Sequence, residues 1–121
     1  MIKLKKTEML KKNYEFKNVL TKGKYYSGKR IEAFIKYNNS NININFLGIA
    51  ISSKIAKAVK RNKIKRLIRE GYKNLENNID TSNSIIFLWK KKVNIEEATY
   101  ENIMKDIEYI LKKANIFIEE E

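Results

Sequence analysis

Apolar residues recur along this 121-residue chain with two different periods, and the changes of period divide it into six segments. Phe16, Val19 and Leu20 keep the i, i+3, i+4 spacing of one helical face, which predicts a short helix over 13–22. Asn13 is its expected cap and Gly23 its stop. Residues 30–37 alternate instead. Ile31, Ala33, Ile35 and Tyr37 point one way, and Glu32, Phe34 and Lys36 the other. Residues 46–52 form a second strand, with Leu47, Ile49 and Ile51 toward the core and Gly48, Ala50 and Ser52 keeping the opposite face small. The polar run Asn38-Asn39-Ser40-Asn41 between them predicts an antiparallel hairpin.

The longest helix is expected over 57–77. Ile64, Leu67, Ile68, Gly71 and Leu75 make one stripe, and Asn62, Lys65, Arg66, Arg69 and Lys73 a neighbouring one. Gly71 costs this helix about 1 kcal/mol against alanine. A second polar turn, Asp80-Thr81-Ser82-Asn83, leads to a third strand over 84–90. There Ile86 and Leu88 share one face, and Ile85, Phe87 and Trp89 the other. A last helix over 99–114 carries Ile103, Ile107, Ile110, Leu111 and Ala114, with Thr99 or Asn94 as its cap.

The order is thus α-β-β-α-β-α. A long helix separates the second and third strands, so those two are expected to be parallel neighbours. The fold class is an α+β sandwich: a small mixed sheet, two long helices on one face, and the short N-terminal helix by a groove on the other. There is no proline, no linker-like stretch and no repeat. Residues 1–121 read as a single domain, with about 1–8 and 116–121 frayed at the ends.

Composition removes much of the possible chemistry. Cys and His are absent, which excludes thiol nucleophiles, disulfides, Cys or His zinc sites and histidine acid–base catalysis. The carboxylates are scattered, without the paired spacing of a hydrolytic acid and base. Ser52-Ser53-Lys54 is too common a tripeptide to mark a nucleophile, and the four glycines lie too far apart for a phosphate loop. No catalytic residue is expected in the protein itself. The basic start lacks a following apolar run, and no stretch approaches the roughly 20 apolar residues of a membrane helix. A cytoplasmic protein with no membrane partner is expected.

Charge changes the picture most. Residues 1–92 hold 23 Lys/Arg against six Asp/Glu, a net of +17; residues 93–121 hold three against eight, a net of −5. Between Lys54 and Glu70 stand eight basic residues and one acid, and three of the four arginines fall there. A face of one sign this dense points to a polyanion. Its members can neutralise phosphates, and Asn62 among them can hydrogen-bond a sugar or base edge. A second surface is the sheet face away from the long helices. Phe34, Ala50 and Phe87, beside Phe16 and Leu20 of the first helix, would form a ring-walled groove fit for a single strand with stacked bases. The competing reading is that the first helix closes over these residues as ordinary core.

Gly48-Ile-Ala-Ile-Ser-Ser-Lys54, followed by Ala58-Val-Lys-Arg-Asn-Lys-Ile-Lys-Arg-Leu-Ile-Arg-Glu70, closely resembles the signature of the bacterial ribonuclease P protein component. Leu10-Lys-Lys-Asn-Tyr-Glu-Phe16 and Gly23 resemble that family's first helix. The resemblance implies a small basic subunit of an endoribonuclease that removes the 5′ leader from precursor tRNA and leaves 5′-phosphomonoester ends. Catalysis belongs to the RNA subunit, with Mg2+ held mainly by that RNA and the substrate; protein-side metal ligands are unknown. On matching positions, Phe16, Leu20, Phe34, Ala50 and Phe87 would line the leader groove. Lys54, Arg61, Asn62, Lys63, Lys65, Arg66 and Arg69 would form the RNA-binding ridge. The partners implied are ribonuclease P RNA and precursor tRNA, not DNA. A left-handed βαβ crossover is implied by the family alone, against the usual rule. Lys63, Ala56, Leu20 and Leu47 depart from the family pattern, where Arg, Gly, Phe and a basic residue are usual. The alternative is a ribosomal-type structural RNA-binding protein with no processing role. A DNA-binding recognition helix and a protein-only nuclease are weaker alternatives.

Overall fold

The computed structural model describes residues 6–37 and 43–119. Five strands and three helices follow one another as β1 (Thr7–Met9), α1 (Asn13–Lys22), β2 (Lys24–Ser27), β3 (Ile31–Lys36), β4 (Asn45–Ala50), α2 (Ala58–Leu75), β5 (Ser84–Trp89) and α3 (Tyr100–Lys113). Single 3-10 turns at Glu76–Asn78 and Ile95–Glu97 close the approaches to β5 and α3. Every element read from the sequence is present within two residues of its expected ends. Thr99 caps α3 by accepting from the Asn102 amide, and Asn94 caps the preceding 3-10 turn. Asn13 is the first helical residue of α1 and not its cap; the Glu15 carboxylate instead accepts from the Lys12 amide at 3.0 Å.

The strand order is β1-β4-β5-β3-β2. β4 and β5 are parallel neighbours joined through α2, as the crossover argument requires. The expected hairpin between the strands around Ile31 and Leu47 does not form. β5 lies between them, antiparallel to β3 and parallel to β4. The reason is burial: five of the six residues of β5 are buried, on both faces. A strand without a polar face goes to the centre of a sheet. The turn cluster at 38–41 lies outside the described residues.

Two strands escaped the hydrophobic pattern. β2 pairs antiparallel with β3 through the three-residue turn Gly28-Lys29-Arg30, and β1 adds parallel to β4 at the opposite edge. The expected fraying of 1–8 is therefore corrected at Thr7 and Glu8. Thr7 is buried, and its hydroxyl shares a 2.8 Å hydrogen bond with Tyr72 of α2. Burial pushes the Tyr72 phenol up to about 12, so it stays protonated. The C-terminal end is tied as well. Ile116 is buried, Phe117 bridges to Ile79, and the Ile118 amide donates to the Asn78 carbonyl at 2.6 Å.

The main core lies between the sheet and the two long helices. Ile31, Ala33 and Ile35 of β3, Leu47 and Ile49 of β4, and Ile85, Phe87 and Trp89 of β5 pack there against Ile64, Ile68 and Tyr72 of α2 and Ile103, Ile107 and Ile110 of α3. Gly71 sits where the helices approach: a Cβ there would lie 3.2 Å from both Ile107 Cδ1 and Met104 Sδ. Its helix-propensity cost is thus the condition for close helix packing. A smaller cluster on the other face gathers Leu10, Val19 and Ile86 with Phe16, Phe34, Phe46 and Leu88.

Candidate nucleic-acid interface

The face under α1 is built in rows set by strand register. Phe46, Ser84 and Lys36 make the first; Gly48, Ile86, Phe34 and Tyr25 the second; Ala50, Leu88, Glu32 and Ser27 the third. α1 covers the second row. A Cβ on Gly48 would stand 2.7 Å from the Phe16 ring, so glycine here gives Phe16 its seat, and Ile86 beneath is fully buried. To this extent the helix does close the sheet. The third row is left open: Ala50, Leu88 and Glu32 keep partial solvent access, as does Phe34 beside them. Leu20, 39% exposed, lies on one flank of α1, while Glu15 and Asn18 line a separate cleft with Phe46, Ser84 and Lys36 on the other.

One expected groove residue is misplaced. Phe87 is fully buried on the opposite face, edge-on to Tyr72 with ring centroids 6.5 Å apart. Alternation along β5 sends 85, 87 and 89 to the main core, so the groove side belongs to Ile86 and Leu88. The small residues Gly48 and Ala50 lie on β4, beside the central strand β5. A ring that sequence reading missed takes part instead. Tyr25 of β2 stands opposite Phe34, with centroids 5.3 Å apart and planes inclined at 58°. Its signal was the pair Tyr25-Tyr26 ahead of Gly28, a hairpin pattern.

Sheet direction sets the electrostatics. β4 and β5 end, and β3 begins, at the same end of the sheet, next to the open third row. That end carries Lys54 and Lys57 after β4, Lys90, Lys91 and Lys92 after β5, and Lys29 and Arg30 before β3. The lysine turn after β5 is fixed: the Trp89 indole donates to the Val93 carbonyl at 3.0 Å, and the Lys90 amide to the Arg30 carbonyl at 2.9 Å. Sequence reading did not include these three lysines in the basic surface, because the strand order that brings them to Lys54 was unknown. Ser52 serves the local turn, its hydroxyl accepting from the Lys54 amide at 3.2 Å.

α2 leaves this same end. Asn62, Lys65, Arg66 and Arg69 share one flank at 100° per residue. Arg66 is exposed and only loosely paired, 3.9 Å from Glu70. Arg69 Nε is buried and has no hydrogen-bond partner among the described residues. Lys63 departs from this flank. It lines a cleft with Lys60, Ile95 and Glu96 on the side toward α3. Arg61 folds back to donate to the Ala56 carbonyl at 2.8 Å, steadying the helix start. Among the described residues no three Asp or Glu side chains come together to hold a metal ion.

A family model described as Ribonuclease P matches residues 4–115. The chain belongs to the ribonuclease P protein family. A ribonuclease P protein component from Clostridium novyi is 32% identical over 114 residues, spanning 94% of this chain and 99% of its own length. One from Clostridium botulinum is 36% identical, spanning 93% of this chain and 98% of its own length. The Staphylococcus aureus RNase P protein superposes with a TM-score of 0.78 at 31% identity, covering 90% of this chain and 96% of that one. The Thermotoga maritima RNase P protein gives 0.76 at 25% identity, covering 88% and 96%. The mixed five-stranded sheet with three helices is thus the ribonuclease P protein fold.

Proposed function

We propose that the chain acts as the RNA-binding protein subunit of ribonuclease P, in 5′-leader removal from precursor tRNA. The RNA subunit carries out catalysis, and magnesium is held mainly by that RNA and the substrate. The carrying observation is the open third row of the α1 face, flanked on one side by the rings of Phe34 and Tyr25 in the second row and on the other by the lysine end of the sheet. A single strand laid there can stack its bases on rings and set its phosphates on lysines. Phe16, Leu20, Phe34 and Ala50, with Leu88 in place of Phe87, form the leader groove. Lys54, Asn62, Lys65, Arg66 and Arg69 face the RNA subunit, with Arg61 and Lys63 on its margins. The Cys- and His-free composition suits a reaction catalysed by RNA. A structural ribosomal role is not favoured by the family relationship. Among the described residues no helix is long and apolar enough to cross a membrane, and we infer that the protein works in the cytoplasm, where precursor tRNA is made.

Binding to leadered and leaderless tRNA tests this reading in the assembled holoenzyme. Phe34→Ala should weaken leadered substrate by roughly 5- to 150-fold, the equivalent of one stacked base at 1–3 kcal/mol. Mature tRNA affinity should not change. Equal weakening of both would make Phe34 a packing residue and remove the groove from the account.

A further inference from the structure

A cleft of about 480 Å³ opens at the corner between the β2–β3 turn and α3, lined by Gly28, Lys29 and Arg30 of the turn and Lys105, Asp106 and Tyr109 of the helix. Its floor is fixed. The Asp106 carboxylate, 4% exposed, accepts from the Arg30 and Ile31 amides and from the Arg30 guanidinium. Gly28 is buried against α3, where a Cβ would meet Ile110 Cδ1 at 3.4 Å and Asp106 Cβ at 3.5 Å. Arg30 is engaged by Asp106 and Glu97, so the free charges of the cleft are Lys29 and Lys105. Among the described residues no carboxylate oxygen comes within 4.0 Å of either ammonium group. For Lys105 this holds although Glu101 and Glu108 stand one turn to either side, and Glu108 is paired with Lys112 at 3.6 Å. Tyr109 follows Lys105 by four residues, so the two share one face of α3, and Tyr109 is half exposed.

Two unpaired ammonium groups beside an exposed ring suit a phosphate joined to an aromatic base, which is a nucleotide. A free nucleotide would have only these two lysines and one ring to hold it. A nucleotide in a strand already bound nearby needs no more, because its local concentration is raised by the part that is held. The cleft adjoins the path of such a strand. The Lys90 amide donates to the Arg30 carbonyl at 2.9 Å, which sets the Lys90 to Lys92 turn next to this corner. Strand order decides which RNA passes here. α3 packs over β3 and β2, whereas α2 packs over β4 on the other side of β5. The cleft is thus away from the Arg66 flank of α2 and within reach of a strand that leaves the α1 groove across the lysine end.

Resting on the leader reading above, we propose that this cleft is a second, upstream leader site on the α3 side of the sheet. Lys29 and Lys105 hold a phosphate there, and Tyr109 stacks one base whatever its identity. Arg30 and Asp106 are positioning residues that fix the turn against the helix.

The test uses the holoenzyme and precursor tRNAs whose leaders are lengthened one nucleotide at a time. Affinity should rise in two stages, the first from the α1 groove and the second, of about fivefold or more, from one further stacked base. Y109A should abolish the second stage and leave the first, and Y109F, which keeps the ring, should retain both. K29Q with K105Q should also remove the second stage and lower the log–log salt slope of the long leader by about 0.7 for each phosphate left without its cation. Affinities for mature tRNA and for the RNA subunit should not change in any of these variants. The proposal fails if short leaders add affinity and longer ones add none, or if the second stage survives in Y109A. Equal weakening of RNA-subunit binding by Y109A would give the cleft to the RNA subunit and overturn the proposal as well. Leaders that add no affinity at any length would overturn the leader reading itself.

Discussion

Asp106→Ala should lower the unfolding free energy by about 3–5 kcal/mol, or roughly 10–20 °C in Tm. Asp106 is a carboxylate on the inner face of α3, only 4% exposed. Its Oδ2 accepts from the Arg30 amide at 2.8 Å and the Ile31 amide at 3.2 Å, and its Oδ1 from Arg30 Nη1 at 3.0 Å. One side chain thus satisfies both backbone donors where the β2–β3 turn enters β3, and it neutralises an arginine whose side chain is 16% exposed. Removing it leaves two backbone amides without partners and the arginine with only the half-exposed Glu97, which costs far more than the pair contributes net. Arg30→Ala should cost less, because the carboxylate keeps its two backbone donors. Arg30 also reaches Glu97 at 3.1 Å, but Glu97 is half exposed and that bridge contributes little. Thermal melts of the two variants decide the point. A loss under 1 kcal/mol for Asp106→Ala would mean the turn holds without this strut.

The second large effect concerns RNA affinity. Lys65→Gln with Arg66→Gln should weaken binding to ribonuclease P RNA and flatten its dependence on salt. For every phosphate that the variant leaves without its cation, the log–log slope should fall by about 0.7 to 0.9. Both residues lie on the flank of α2 away from the main core, and the Arg66 side chain is 61% exposed, so stability should stay within about 0.5 kcal/mol. Titration of the RNA at several salt concentrations measures the slope. Weaker binding with an unchanged slope would show that the two cations do not face phosphates. Lys63→Gln, on the other flank, should change the slope less than Arg66→Gln.

Local periodicity carried most of the fold, and long-range pairing carried the rest. The helices and the three long strands were legible because each repeats its apolar residues at one period over at least six positions. β1 has three residues and β2 four, too few for a period to emerge. Sequence adjacency favours a β3–β4 hairpin, but the two-faced burial of β5 places β5 between them. The same information bears on the site. Alternation puts Phe87 with Ile85 and Trp89, and that more apolar face of β5 goes to the main core. Phe16, Phe34 and Ala50 were legible from alternation and helical spacing. Tyr25 and Lys90 to Lys92 were not, because they join the surface only through strand order. Gly48 read as a small floor, and it is a seat for Phe16.

The central claim is that this polypeptide grips RNA and leaves bond cleavage to its RNA partner. Cleavage of precursor tRNA at low magnesium, by the protein alone, by ribonuclease P RNA alone and by the two together, tests it most directly. The account predicts no cleavage by the protein, little by the RNA, and restored 5′-leader removal by the pair. Phosphodiester hydrolysis by the polypeptide alone, or identical rates for the RNA with and without it, would contradict the claim.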